Sequence, residues 1–124
     1  MPTALEDFHP SVRAWFERRF DVPSRAQELG WPIIGAARDN ETPGFDVLLC
    51  APTGSGKTLA AFMWAINGLV LDAAHDLLRD EVSVLYVSPL KALANDIRLN
   101  LEEPLHGVRD VGAESGLDLS RIRA

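Results

Sequence analysis

The chain has 124 residues, enough for one small domain, and its 47% apolar and 24% charged residues match an ordinary soluble globular protein. No stretch of 18 uninterrupted apolar residues occurs, so no membrane-spanning helix is expected. The start, with Glu6 and Asp7, lacks the basic and apolar regions of a signal peptide. The net charge of −6 has the wrong sign for a simple nucleic-acid-binding module, but leaves room for a local groove of polar and backbone contacts to phosphates. The lone Cys50 cannot form an internal disulfide, which suits a reducing cytoplasm. His9, His75 and His106 sit far apart, with no cysteine or carboxylate at metal-ligand spacing. Solvated or capping roles are expected for them, and no structural metal.

In chain order, His9-Pro10-Ser11 predicts a helix start, with Val12, Trp15, Phe16 and Phe20 at helical spacing behind it. Asp21-Val22-Pro23 ends that helix, and Ser24 opens the next, which Pro32 is expected to kink or restart. Ser24 and Gln27 stand at capping-box spacing. A glutamine amide can also read both hydrogen-bonding groups of an adenine edge, although local chemistry favours the cap. A polar stretch over 38–46 predicts a surface loop.

Residues 47–50, apolar throughout, predict a strand in which Cys50 is a buried small hydrophobe. Ala51-Pro52-Thr53-Gly54-Ser55-Gly56-Lys57-Thr58 follows, and a helical apolar pattern runs from Leu59 to Leu71. Strand, glycine loop and helix are the setting of a phosphate-binding loop. Gly54 and Gly56 let N–H groups converge on an anion, aided by the positive end of the helix. Lys57 can reach the β- and γ-phosphate oxygens, and the Thr58 hydroxyl can ligate Mg2+. Ala51 stands where the first glycine is usual, and a small residue still fits. A turn with an exposed lysine is the bland alternative, and the flanking patterns argue against it.

Residues 82–87 are apolar or β-branched at nearly every position, as in a strand buried on both faces of a parallel sheet. Leu90, Leu93, Ile97 and Leu101 then fall at helical spacing, with Pro104 expected to close the helix and 105–124 expected to be mostly loop. Ser88, Pro89, Leu90, Lys91 and Ala92 lie at the end of the second strand, where open α/β sheets place ligands. Serine, backbone N–H groups and lysine can hold a nucleic-acid phosphate there; a plain helix cap is equally compatible. The alternation predicts an α/β protein, a parallel sheet with helices on both faces. Two strands are too few for such a sheet.

These elements, in this order, resemble the amino-terminal part of a superfamily 2 DEAD/DEAH-box-type helicase, in particular the large helicase-related (Lhr) family. The resemblance rests on Trp15, Phe16 and Phe20, on Pro23 to Gln27 with Gly30-Trp31-Pro32, on Ala51 to Phe62, and on Leu85 to Asp96. It implies an ATP-dependent translocase on single-stranded DNA or RNA that unwinds duplexes or DNA–RNA hybrids, with a part in DNA repair. It also implies an incomplete RecA-like P-loop NTPase domain, in which residues 1–46 are a glutamine-motif helical region and 47–124 the first two strand–helix units of the first motor domain. In that reading Gln27 recognises adenine. Thr53, Gly54, Ser55, Gly56, Lys57 and Thr58 bind ATP and Mg2+, and Ser88 to Ala92 touch the nucleic-acid backbone.

A motor of this kind also needs Asp-Glu-x-His at the end of another strand. Asp80-Glu81-Val82-Ser83 precedes a strand and is read as a loop feature. The expectation is therefore a fragment of a longer helicase: prone to aggregate alone, able to bind ATP and unable to turn it over. A non-catalytic nucleotide- or nucleic-acid-binding module and another P-loop NTPase remain as alternatives.

Overall fold

The computed structural model describes residues 4–37, 44–52, 54–87 and 91–124, with the backbone alone for 91–97 and 99. Four helices carry the described fold: α1 (Pro10–Phe20), α2 (Arg25–Ala37), α3 (Lys57–Ala74) and α4 (Lys91–Glu114). The loop expected over 38–46 lies mostly outside the described residues.

Local chemistry explains the helix ends. His9 caps α1, its Nδ1 accepting from Ser11 N at 3.1 Å, with Pro10 in the first turn. Arg18 and Arg19 occupy the last turn, where the helix end is negative. Asp21 follows at φ 66° and ends the helix. At α2 the capping box is present in full: Gln27 Oε1 accepts from Ser24 N at 2.9 Å, and Ser24 Oγ accepts from Gln27 N at 3.3 Å. His75 closes α3, its Nδ1 2.8 Å from the Leu71 carbonyl.

Both helix-internal prolines depart from expectation. Pro32 neither restarts nor ends α2. The bond it forgoes belongs to the carbonyl of Glu28, an exposed residue that water can serve. Pro104 does not close its helix either; α4 continues ten residues beyond it, to Glu114. Its ring is fully buried, and the carbonyl it leaves unbonded is that of exposed Asn100. Ring burial offsets the lost bond, so the expected loop over 105–124 is half helix.

One apolar core joins the helices. Val12 and Phe16 of α1, Trp31 of α2, Ala60, Met63 and Val70 of α3, and Leu105 and Val108 of α4 meet in it. α3 packs against each of the other three. Its buried Asn67 is satisfied, because Oδ1 accepts from His9 N at 2.7 Å. α1 lies across α4 with the Trp15 indole over Gly107, where any Cβ would fall within contact distance.

The two expected strands are not formed among the described residues. Residues 47–50 and 84–87 nevertheless carry the two-residue alternation of strands. Leu49 packs on the core while Leu48 is 88% exposed. Val84 and Tyr86 are less exposed than Leu85 and Val87, and Tyr86 meets Phe62 with centroids 5.1 Å apart. A strand is defined by its ladder, and no pairing partner stands beside either segment among the described residues. Cys50 is likewise exposed, contrary to the expectation of burial.

Two outcomes follow for stability. Gly107→Ala drives a methyl group into Trp15 and should lower stability by about 1–3 kcal/mol, read from the urea midpoint of tryptophan fluorescence. Burial, and to a smaller degree the charge of His75, lowers the pKa of His9 below its ordinary 6.5. The unfolded chain then binds the proton more readily, so this contribution is intact above about 6.5 and is lost as pH falls through the lower folded pKa. The urea midpoint should drop between about pH 7.5 and pH 5, and His9→Asn, which caps without titrating, should flatten that drop.

Candidate phosphate-binding site

α3 begins at Lys57 with Gly56 as its N-cap, and Gly56, at φ 82°, has no side chain to close the first turn. Gly54 has a similar φ of 83°, a conformation that other residues adopt at a cost. The first N–H groups of α3 therefore face outward without a side-chain cap, at the positive end of an 18-residue helix.

The start of α2 holds this loop from behind. Ser24 Oγ donates to the Ser55 carbonyl at 2.6 Å, and Gln27 Nε2 donates to the Gly56 carbonyl at 3.3 Å. The Gly56 carbonyl also accepts from Ala60 N at 2.9 Å, the first bond of α3. No peptide bond among the described residues is cis, so each N–H points away from the carbonyl of its own peptide unit. Fixing the Ser55 and Gly56 carbonyls toward α2 turns the N–H groups of Gly56 and Lys57 to the opposite side. Two adjacent donors held in that way form an anion cradle.

Gln27 is 4% exposed, so its amide is part of the packing. One N–H and one lone pair of that amide meet Gly56 and Ser24, and each amide atom has capacity for one bond more. Capping and reading a base edge are thus compatible. Gly56 must be glycine for this contact, since a Cβ there would lie 2.5 Å from Gln27 Nε2.

Ser55 Oγ is buried with no hydrogen-bond partner among the described residues. A buried hydroxyl left without a partner costs about 1–3 kcal/mol unless a ligand meets it. Lys57 Nζ donates to the Ala51 carbonyl, which folds the ammonium back over its own loop. Lys57 and Thr58 line a cavity of ≈ 430 Å³ whose other walls include Ile34, Val47, Leu49 and Tyr86.

The structure therefore brings Gln27, Gly54, Ser55, Gly56, Lys57 and Thr58 into one region. Thr53, Ser88, Pro89 and Leu90 lie outside the described residues. Lys91 and Ala92 form the first turn of α4, with backbone only. Asp80 and Glu81 are exposed, and Asp80 pairs with Arg123 at 2.7 Å. Sequence reasoning gave Ser24 a cap but missed its hold on the loop. The capping box was the legible signal; its second partner, 31 residues away, had none.

Comparison with known proteins extends this geometry. The DEAD/DEAH box helicase family model matches residues 27–122. The chain is 48% identical over 112 residues to the ATP-dependent helicase Lhr-Core protein 2 of Thermococcus barophilus, covering 90% of this chain and 12% of that protein. It is also 48% identical over 116 residues to the ATP-dependent helicase Lhr-Core of Methanothermobacter thermautotrophicus, covering 94% and 13%. Among solved structures, the Mycobacterium smegmatis helicase Lhr bound to ssDNA and AMP-PNP matches with a TM-score of 0.75 and 42% identity, over 94% of this chain and 13% of that one. The chain spans roughly an eighth of the length of these relatives.

Removing the Ser24 hydroxyl tests the cradle. Ser24→Ala should free the Ser55–Gly56 peptide and weaken binding of a fluorescent nucleoside triphosphate by about three- to tenfold, the loss of one hydrogen bond. Binding as tight as that of the parent chain would show that α2 does not hold the loop in its binding conformation.

Proposed function

Since this chain belongs to the DEAD/DEAH box helicase family, we propose that it forms the ATP-binding portion of the first motor domain of an ATP-dependent helicase-translocase. The observation that carries the reading is the loop at the start of α3: two carbonyls tied to α2, the N–H groups of Gly56 and Lys57 turned outward, and the Ser55 hydroxyl left without a partner. That donor set fits a triphosphate. Gly54, Ser55, Gly56 and Thr53 would surround it, and Lys57 would leave the Ala51 carbonyl for the β- and γ-phosphate oxygens. The spare capacity of the Gln27 amide would meet adenine. Phe20, 39% exposed at the end of α1, offers an aromatic ring on which a base could stack.

The Thr58 hydroxyl would hold Mg2+, which when bound neutralises charge on the phosphates. Ser88, Pro89, Leu90, Lys91 and Ala92 would contact the backbone of single-stranded DNA or RNA, or of a DNA–RNA hybrid. The relative from Mycobacterium smegmatis, bound to ssDNA and AMP-PNP, supports a nucleotide and a single-stranded nucleic acid as the ligand classes. A part in DNA repair and a place in the cytoplasm complete the proposal. Residues 47–50 and 82–87 would become strands of a parallel sheet when the rest of a longer helicase chain supplies their neighbours. Their apolar side chains on both faces suit that burial.

Lys57→Ala should abolish ATP hydrolysis in the full-length protein, measured as phosphate release with and without single-stranded DNA, while leaving its circular dichroism unchanged. Turnover within a few-fold of the parent would remove the phosphate-loop assignment. The sheet is tested separately. Amide exchange at 47–50 and 82–87 should be slow in the full-length protein and fast in this chain alone.

A further inference from the structure

α2 reaches the start of α3 through two side-chain donors set one helical turn apart. Gln27 Nε2 donates to the Gly56 carbonyl at 3.3 Å, at the rim of the loop. Trp31 Nε1 donates to the Ala60 carbonyl at 2.9 Å, in the interior. The backbone closes the circuit, because Ala60 N donates to the same Gly56 carbonyl at 2.9 Å. The two donors differ in what fixes them. Trp31 is fully buried, with Phe8 and Phe16 edge-on to its ring at centroid distances of 4.9 and 5.5 Å. Phe8 also meets Trp64 of α3 edge-on at 5.2 Å, which links the indole to α3 a second time. Apolar packing has no preferred direction and tolerates sliding. The buried indole bond does not, since an unmade N–H there has no water to turn to. The Gln27 bond stands at the outer edge of the N–H···O range, and about 0.3 Å more would remove it.

We propose that Trp31 is a positioning residue for base selectivity: its bond to the Ala60 carbonyl fixes the register that sets the Gln27 amide against Gly56. The remaining N–H and lone pair of that amide are thereby aimed at a base. This role rests on the ATP reading above, in which Gln27 meets adenine. Adenine presents a donor beside an acceptor and matches an amide at both atoms. Guanine presents two acceptors there, one of which faces the amide oxygen. Selectivity for adenine therefore depends on the angle of the amide, whereas a loop that grips phosphates is indifferent to the base. Trp31 lies one turn further from the loop than Gln27 and touches neither phosphate nor base in this reading. It acts through Gln27.

The experiment measures the dissociation constants of fluorescent ATP and GTP analogues on the full-length protein and takes their ratio as the selectivity. Trp31→Phe keeps a ring against Phe8 and Phe16 and removes the donor. It should cut the preference for ATP by about three- to tenfold, with GTP affinity within about twofold of the parent. Gln27→Ala should cut the preference at least as far. Adding Trp31→Phe to Gln27→Ala should cut it no further, because the two residues act as one unit. Val108→Ala truncates an equally buried side chain on α4, which makes no contact with α2 among the described residues. It should lower the melting temperature and leave the ratio at the parent value. If Trp31→Phe does not fold, benzothienylalanine at position 31, with sulfur in place of the indole N–H, gives the same comparison at unchanged ring shape. Parent selectivity in the single variant, a further loss in the double variant, or a reduced ratio in Val108→Ala would each overturn the positioning role. A parent protein that binds neither analogue, or both equally, would instead refute the adenine reading itself.

Discussion

The seam between α2 and α3 is the constraint on which the site depends. Gln27 meets Gly56, Trp31 donates its indole N–H to the Ala60 carbonyl at 2.9 Å, and Gly35 leaves room for the Trp64 ring. The contacts advance by four residues on each helix, one turn at a time, so the two helices run in the same direction in fixed register. Small residues at 35, 56 and 60 bring the helices close, and the larger partners fill the space between them. Slipping the register by one turn would place Gln27 against Ala60 and leave the Gly56 carbonyl without its side-chain donor. Packing far from the loop thereby decides where the loop's peptide groups point.

That seam also explains what the sequence could disclose. Gln27 offered two readings, cap and base reader; the fold shows the cap and adds a contact beyond it, because the amide that closes α2 also reaches the Gly56 carbonyl of the glycine loop. The capping box is local chemistry within four residues and was legible. Its extension to Ser55 and Gly56 depends on the register of two helices, which no pattern within either helix encodes. The glycine loop was legible because Gly54 and Gly56 are needed for positive φ, a backbone requirement written directly in residue type. The prolines misled for the opposite reason. Pro32 and Pro104 are punctuation in a local reading, yet exposure of Glu28 and burial of the Pro104 ring let both helices pass through them.

The apolar segments 47–50 and 82–87 divide sequence from structure in another way. Their composition announced strands, and their side-chain alternation on the helical layer agrees, yet no ladder forms among the described residues. Side-chain pattern is a property of a segment, whereas a sheet is a property of at least two neighbours. The inner faces, through Leu49 and Tyr86, already have partners on α2 and α3; Leu48, Leu85 and Val87 face outward. Matches to only about an eighth of the relatives' length fit this asymmetry.

These two segments bear on the site as well. Lys57 and Thr58 border a cavity walled by Val47, Leu49 and Tyr86, so the same segments form the floor beneath the glycine loop. Placing neighbours beside 47–50 would restrict the backbone that leads into Ala51, and it is the Ala51 carbonyl that holds the Lys57 ammonium. A lysine bound to its own loop is satisfied without a phosphate, and any triphosphate must outcompete that carbonyl. Charge decides the competition, since an anionic phosphate oxygen adds a full Coulombic attraction to the ammonium that a neutral carbonyl lacks. Among the described residues the Ser55 and Gly56 carbonyls are already tied to α2, and Lys57 is the side chain that the proposed triphosphate would draw away from the Ala51 carbonyl.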